Sequence, residues 1–328
     1  MIKTLKAALL ASGMTLGLTG AAHADHIAYS LGGGGDTLVG VAFDDIAEGD
    51  AEANTTAITL NGVSLSLDAI TYRPQTGEFY GYDADTGSLY TVNPATGAAT
   101  LEFQSDILPD GFVSFDTNNN LDAFRFVNAS GENVVYFPDD SANGPANQGR
   151  LISVELPDEA GNISAITYDT GYDETGTPTL IGNGYTNQLP VDAAMAQGDD
   201  LIQYVLDAST DTLGILNNNA GTVDFVADAG IDFDVSGGFD VFSTGDTDIL
   251  YALLTVDGDQ GLYTIDLATF VFTRVFEFDG GFGVLTGLAV FIPGMDDVDV
   301  VPVPAAAFLF PLGAAGLAAA RKRKAARA

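Results

Sequence analysis

The chain has 328 residues, 46% of them hydrophobic, with 45 Asp and Glu against 11 Lys and Arg, a formal charge of −34, and no cysteine. The missing cysteine excludes disulfides, thiolate catalysis and cysteine-bound metals. Acidity on this scale repels nucleic acid and anionic lipid, so neither is expected as a partner.

The first element is a secretory signal. Lys3 and Lys6 form a positive n-region, Ala7–Leu18 is mostly apolar, and Ala22-His23-Ala24 is a small-x-small cleavage site. This predicts a signal peptide over residues 1–24, removed by signal peptidase, with Asp25 as the mature start. His23 leaves with it, so His26 is the single histidine of the mature chain. One terminal histidine builds neither a histidine-based triad nor a histidine metal cage. Residues 25–300 keep four basic residues, Arg73, Arg125, Arg150 and Arg274, against all 45 acidic ones, a formal charge of −41. Such a body repels itself unless salt screens it or divalent cations sit on its surface.

The body is a run of short strands. Over residues 67–100, polar and apolar residues alternate between turns of one kind: Pro74–Gly77, Asp83–Gly87 and Pro94–Gly97. Asp, Asn or Pro opens each turn and glycine takes the positive φ at its end, the pattern of hairpins. No helical period is seen between the terminal segments. The four-strand unit recurs with a period of about 45–55 residues, as in β-propellers, with an insertion between about 138 and 180. First strands are expected at Leu67–Arg73, Phe112–Thr117, Gly182–Asn187, Gly237–Ser243 and Gly287–Phe291. The last has no strands after it, whereas the body begins with His26–Ser30, Asp36–Phe43 and Thr56–Leu60, which read as strands two to four of a unit. The expected fold is therefore all-β: a five-bladed β-propeller over residues 25–294, its fifth blade assembled from both ends of the chain, which removes free sheet edges. Six blades, a β-sandwich and an open β-solenoid are the alternatives.

An acidic linker, 295–300, leads to the tail, 301–328. The tail has a proline-punctuated motif (Val301, Pro302, Val303, Pro304, Ala305), an apolar run (Ala305–Ala320) and a basic end (Arg321, Lys322, Arg323, Lys324, Arg327). A basic flank stays in the cytoplasm. The run is short against the roughly 20 residues of a spanning helix and is broken by Pro311, which suits transient retention at a membrane better than lifelong anchorage.

Two resemblances follow. The runs LVGVAF (38–43), ITYRPQTGEFYGYDADTGSLYTVNPATGAAT (70–100), FVSFDTNNNLDAFRFVNASGENVVYFPDD (112–140), YTNQ (185–188), YVLDASTDTLGILNNNAGTV (204–223), GGFDVF (237–242) and GLYTIDLATF (261–270) resemble domain-of-unknown-function family 4394. That resemblance implies a secreted, propeller-like bacterial protein and assigns no catalytic residue. The tail resembles the VPxPA variety of PEP-CTERM sorting signals. This implies an exosortase-type enzyme as partner, a transient stay in the inner membrane, and release to the cell surface or an extracellular polymer matrix.

Candidate chemistry is sparse. Asp116, Asn118, Asn120 and Asp122 carry oxygens at alternate positions, as in a calcium loop, but the sixth position is Leu121 and the twelfth Val127, where an EF-hand needs Gly and Glu. An Asx-rich hairpin is the competing reading, and calcium is the single cofactor considered. Asp83/Asp85, Asp232/Asp234 and Asp257/Asp259 are pairs that hold a hard cation or simply form turns. Gly32–Gly35 has no helix after it and reads as a loop, not a phosphate cradle. Tyr72, Arg73, Tyr185 and Asn187 sit on expected inner strands and are candidates to line a central channel. Two functions remain: a surface or matrix protein that binds polysaccharide or divalent cations, and a carboxylate-dependent hydrolase or lyase acting on extracellular polysaccharide. Two carboxylates beside Arg73 and Tyr72 in a deep channel would favour the second.

Overall fold

The computed structural model describes residues 26–49, 51–106, 113–128, 133–153, 166–169, 176–189, 201–217, 220–243 and 247–292. The expected signal peptide, linker and tail lie outside them.

Antiparallel pairing groups the strands into five sheets. Blade 1 contains Ala69–Arg73, Glu78–Asp83, Ser88–Val92 and Ala98–Gln104. Blade 2 contains Val113–Asn118, Ala123–Asn128, Asn133–Tyr136 and Leu151–Ser153. Blade 3 contains Leu180–Tyr185, Gln203–Asp207, Thr212–Asn217 and Thr222–Asp228. Blade 4 contains Gly237–Ser243, Asp248–Val256, Asp259–Ile265 and Phe272–Glu277. In blade 5 the inner strand, Thr286–Phe291, comes from the end of the body, and Ile27–Gly32, Thr37–Ala42 and Asn54–Ala57 come from its start. Ile27 is opposite Phe291 in that sheet. The inner strands touch in the order blade 1, 2, 3, 4, 5 and back to 1, so the ring is closed as a five-bladed propeller.

Alternation explains the packing. Each strand turns one set of side chains to the preceding blade and the other to the next. In blade 2, Phe124 and Phe126 meet Tyr80 and Tyr82 of blade 1, while Val127 meets Val205 of blade 3. Leu250 and Leu254 of blade 4 pack on Leu206 and Leu213 of blade 3, and Phe291 of blade 5 packs on Phe79 of blade 1. Five inner strands converge so tightly that some must be bare. A Cβ on Gly182 would lie 2.4 Å from the Phe239 nitrogen, and one on Gly238 would lie 2.5 Å from the Gly287 carbonyl carbon. Glycine in these strands marks close backbone approach between blades.

Several expected boundaries shift. The fourth strand of blade 5 is Asn54–Ala57, and Thr59–Leu60 instead leaves it to pair in parallel with Ala98–Ala99 at the outer edge of blade 1. Ile58, fully buried between these segments, is where the chain changes blades. The third inner strand runs over Leu180–Tyr185 and stops before Asn187, whose φ of 62° takes the chain out of the sheet. A six-residue helix, Phe43–Glu48, was not expected; it ends at Gly49 in a left-handed cap, and its Phe43 and Ile46 pack against the cluster between blades 4 and 5. The period is hidden because one and a half turns are too short to show it. The insertion adds Thr167–Tyr168 to blade 3, parallel to Thr222–Val223. The four-glycine run is the expected loop, linking Ile27–Gly32 to Thr37–Ala42, and Gly35 (φ 97°) lets the Leu67 backbone donate to its carbonyl at 3.0 Å.

Candidate functional site

The five inner strands leave a small cavity at the ring axis. The cavity there has a volume of about 20 Å³ and is lined by inner-strand residues such as Ile70, Ser114, Asn183, Gly238 and Leu288. That is room for a water molecule or two and not for a sugar.

Beside it lie two buried carboxylates. Asp116, 1% exposed, accepts hydrogen bonds from Thr71 Oγ1 (2.6 Å), the Tyr185 N–H (2.8 Å) and Gln188 Nε2 (2.9 Å). Asp240, 5% exposed, accepts from the Val241 N–H (2.8 Å) and from the Val290 N–H of blade 5 (2.6 Å). Each carboxylate thus caps a backbone N–H on the inner strand of the next blade, and a buried N–H needs such a partner. Burial pushes the Asp116 carboxyl up to about 6, against these hydrogen bonds. Burial, and then the like charge of Asp116, raise Asp240 well above the carboxylate range.

A folded-state pKa above the unfolded value means that the fold holds protons the unfolded chain has released. Stability from these groups is then complete below about pH 4 and is lost as pH rises through about 6 and beyond. The melting temperature should be higher near about pH 5 than near about pH 7. Asp240→Asn, a neutral mimic of the protonated carboxyl, should narrow that gap by removing one of the two titrations. An unchanged gap in a thermal melt of the variant would count against the pair, since surface acids titrate in both proteins.

Arg73 is the second buried charge. It is 0% exposed, and its Nε and Nη2 grip both oxygens of Asp122 at 2.8 Å while Nη1 reaches Asp140 at 2.8 Å. Asp122 sits at φ 46° in the hairpin of blade 2, where its Oδ2 also accepts the Ala142 N–H at 2.6 Å. Burial raises the Tyr80 phenol above the ordinary range, and the nearby Arg73 opposes that rise.

These partnerships decide where the sequence candidates lie. Of the calcium candidates, Asp116 is on the inner strand, where it accepts from Thr71, Tyr185 and Gln188, and Asp122 is on the turn, where it pairs with Arg73. Asn118 Oδ1 accepts the Leu121 N–H within the turn. No group of three or more His, Asp or Glu suited to a metal ion occurs among the described residues. Asp83 accepts the Thr86 N–H and hydroxyl, as a turn former does. Of the channel candidates, Tyr72 stacks on Phe291 with centroids 4.5 Å apart and planes at 2°. Arg73 points between blades 1 and 2, Tyr185 is buried, and the Asn187 N–H is held by Asp248 at 3.0 Å. None of the four lines the axial cavity. Asp240, Thr71 and Gln188 were missed. Nothing local marks them: their partners are 45–72 residues away. The sequence places His26 at a strand start; its ring is sandwiched between Phe43 (4.2 Å) and Phe242 (4.8 Å), with Nε2 3.0 Å from the Tyr251 hydroxyl.

A closed ring of five four-stranded blades with charged clamps between inner strands defines the class: a five-bladed β-propeller. The chain belongs to the family described as Domain of unknown function (DUF4394), whose model matches residues 44–289. No curated protein matches it. Among solved structures it is similar to an auxiliary nutrient binding protein from Bacteroides ovatus, with 15% identity and a TM-score of 0.39 over 68% of this chain and 55% of that one. It thus spans little more than half of that protein. It is also similar to a chain of a nidogen/laminin complex (10% identity, TM-score 0.39, 81% and 98% covered) and to virginiamycin B lyase from Staphylococcus aureus (10%, 0.34, 68% and 58%).

Proposed function

We propose that this protein is an exported, highly acidic binding or structural component of a cell surface or extracellular matrix. One observation carries the reading: Asp116 and Asp240 beside the axial cavity of about 20 Å³, and Arg73 between blades 1 and 2, are all engaged with protein groups. Recognition is thereby left to the outside of the ring: among the described residues, the acidic side chains other than Asp116, Asp122, Asp207 and Asp240 are not buried. The two buried carboxylates are not open to a substrate, and Arg73 and Tyr72 face elsewhere, which weighs against the hydrolase or lyase. The ligand classes are extracellular polysaccharide and divalent cations, calcium first. The signal over 1–24 and the VPVPA tail assign export, a transient stay in the inner membrane and release by an exosortase-type enzyme. No helix among the described residues is long and apolar enough to cross a membrane.

A calcium and glycan screen on residues 25–295, read by thermal shift, tests binding. A shift with calcium or with a polysaccharide is expected, and silence across both sets would end the proposal. For the tail, mass spectrometry of surface protein from native cells should find no peptide beyond the VPVPA motif. Intact C-terminal peptides there would make the tail a lasting anchor.

A further inference from the structure

Among the described residues, the outer edges of blades 1 and 3 are each covered by a short extra strand, and the outer edge of blade 4 is not. The difference lies in one turn. In blade 1 the turn before the outer strand ends at Gly97, whose N–H donates to the Asn93 carbonyl at 2.7 Å. In blade 3 the Gly221 N–H donates to the Asn217 carbonyl at 2.8 Å, and in blade 4 the Phe270 N–H donates to the Asp266 carbonyl at 2.6 Å. Side chains repeat the match. Asn93 Oδ1 accepts the Ala95 and Thr96 N–H groups, and Asp266 Oδ1 accepts those of Ala268 and Thr269. The three closing residues are all left-handed, with φ of 67°, 64° and 54°. Two are glycine and the third is phenylalanine.

Blade 1 shows what the glycine permits. Thr59–Leu60 runs parallel to Ala98–Ala99, and the Thr59 N–H donates to the Gly97 carbonyl at 2.9 Å. A Cβ on Gly97 would fall on the Ala57 carbonyl, 2.8 Å from its carbon and closer still to its oxygen. The covering strand therefore enters directly over the glycine, through space that any side chain would fill. Blade 3 repeats the arrangement: Thr167–Tyr168 runs parallel to Thr222–Val223, and the Thr167 N–H donates to the Gly221 carbonyl at 3.0 Å. In blade 4 the same backbone turn puts the Phe270 Cβ into that space. The strand that follows, Phe272–Glu277, is the last of its sheet.

A bulky residue at positive φ is strained, and glycine would relieve it. An uncovered sheet edge, in turn, pairs with an extended chain that fits it. The chain that fits this turn is present on every copy of the protein: it is the segment 57–64, whose place on blade 1 has the same turn. We infer that Phe270 is a bar. It closes blade 4 to the covering segment of a second copy of this chain, and so confines that segment to blade 1. Chains crowded together would otherwise join through the edge of blade 4.

A labelled peptide of residues 57–64, titrated by fluorescence anisotropy into residues 25–295, whose ring closes on its own ends, tests the bar. Phe270→Gly should bind the peptide at least about tenfold tighter than the wild type. Phe270→Ala should bind it no better than the wild type, because the Cβ stays while the ring is gone. Equal binding by the two variants, or no gain in Phe270→Gly, overturns the inference. The converse leaves blade 4 untouched. Gly97→Ala should speed hydrogen exchange of the Thr59 N–H at least about tenfold, with the pairs between the four strands of blade 1 still protected. This arm decides by itself if Phe270→Gly does not fold. A Thr59 N–H as protected in Gly97→Ala as in the wild type would show that a side chain at this turn does not exclude a strand, and the bar would fall.

Discussion

Arg73→Met should lower the unfolding free energy by about 3–5 kcal/mol, the range for removing one partner of a buried pair. The side chains of Arg73 and Asp122 are 1% and 0% exposed and meet at 2.8 Å. Burial alone would lower the Arg73 pKa; the Asp122 carboxylate outweighs it and the pKa rises. Without the guanidinium, Asp122 keeps only donors such as the Ala142 N–H. The arm to Asp140 matters little, because that side chain is 60% exposed and solvent screens it. Replacing both Arg73 and Asp122 by apolar residues should recover much of the loss. Urea titration decides: a loss for Arg73→Met no larger than that for Asp140→Ala would show that the pair does not hold blades 1 and 2 together.

Deleting His26–Leu60 should abolish cooperative thermal unfolding of the body. The deletion removes three of the four strands of blade 5 and leaves Thr286–Phe291 without its partner Ile27–Gly32. It also strips Leu31, Leu38 and Ile58, each fully buried, from the seam with blade 1. Burying one such side chain contributes about 1.5–3 kcal/mol, so three of them rival the whole stability of a typical domain, about 5–15 kcal/mol. A truncated chain with the same melting temperature as the intact one would disprove closure by the termini.

The ring was legible in the sequence because its signals are local. A turn such as Asp83–Gly87 names itself through an Asx side chain and a positive-φ glycine, as the Thr86 bonds to Asp83 show. Repeating such turns at a fixed spacing gives the blade count, and the orphan inner strand at 287–291 gives the closure. The interior chemistry was not legible, because a strand residue acts on whichever blade it faces. Asp116 and Asp122 are six positions apart, yet one serves the inner strands of blades 1 and 3 and the other anchors Arg73. Spacing along the chain reports neither destination.

Because Ile27 lies opposite Phe291, the two ends of the body meet as the arms of a hairpin do, and a linker of about 2–5 residues suffices to join them. The molecule is then indifferent, in its contacts, to where its sequence starts. A circular permutant opened at the Asp83–Gly87 turn would have all the same strand pairs, and blade 1 in place of blade 5 would be the last to be completed.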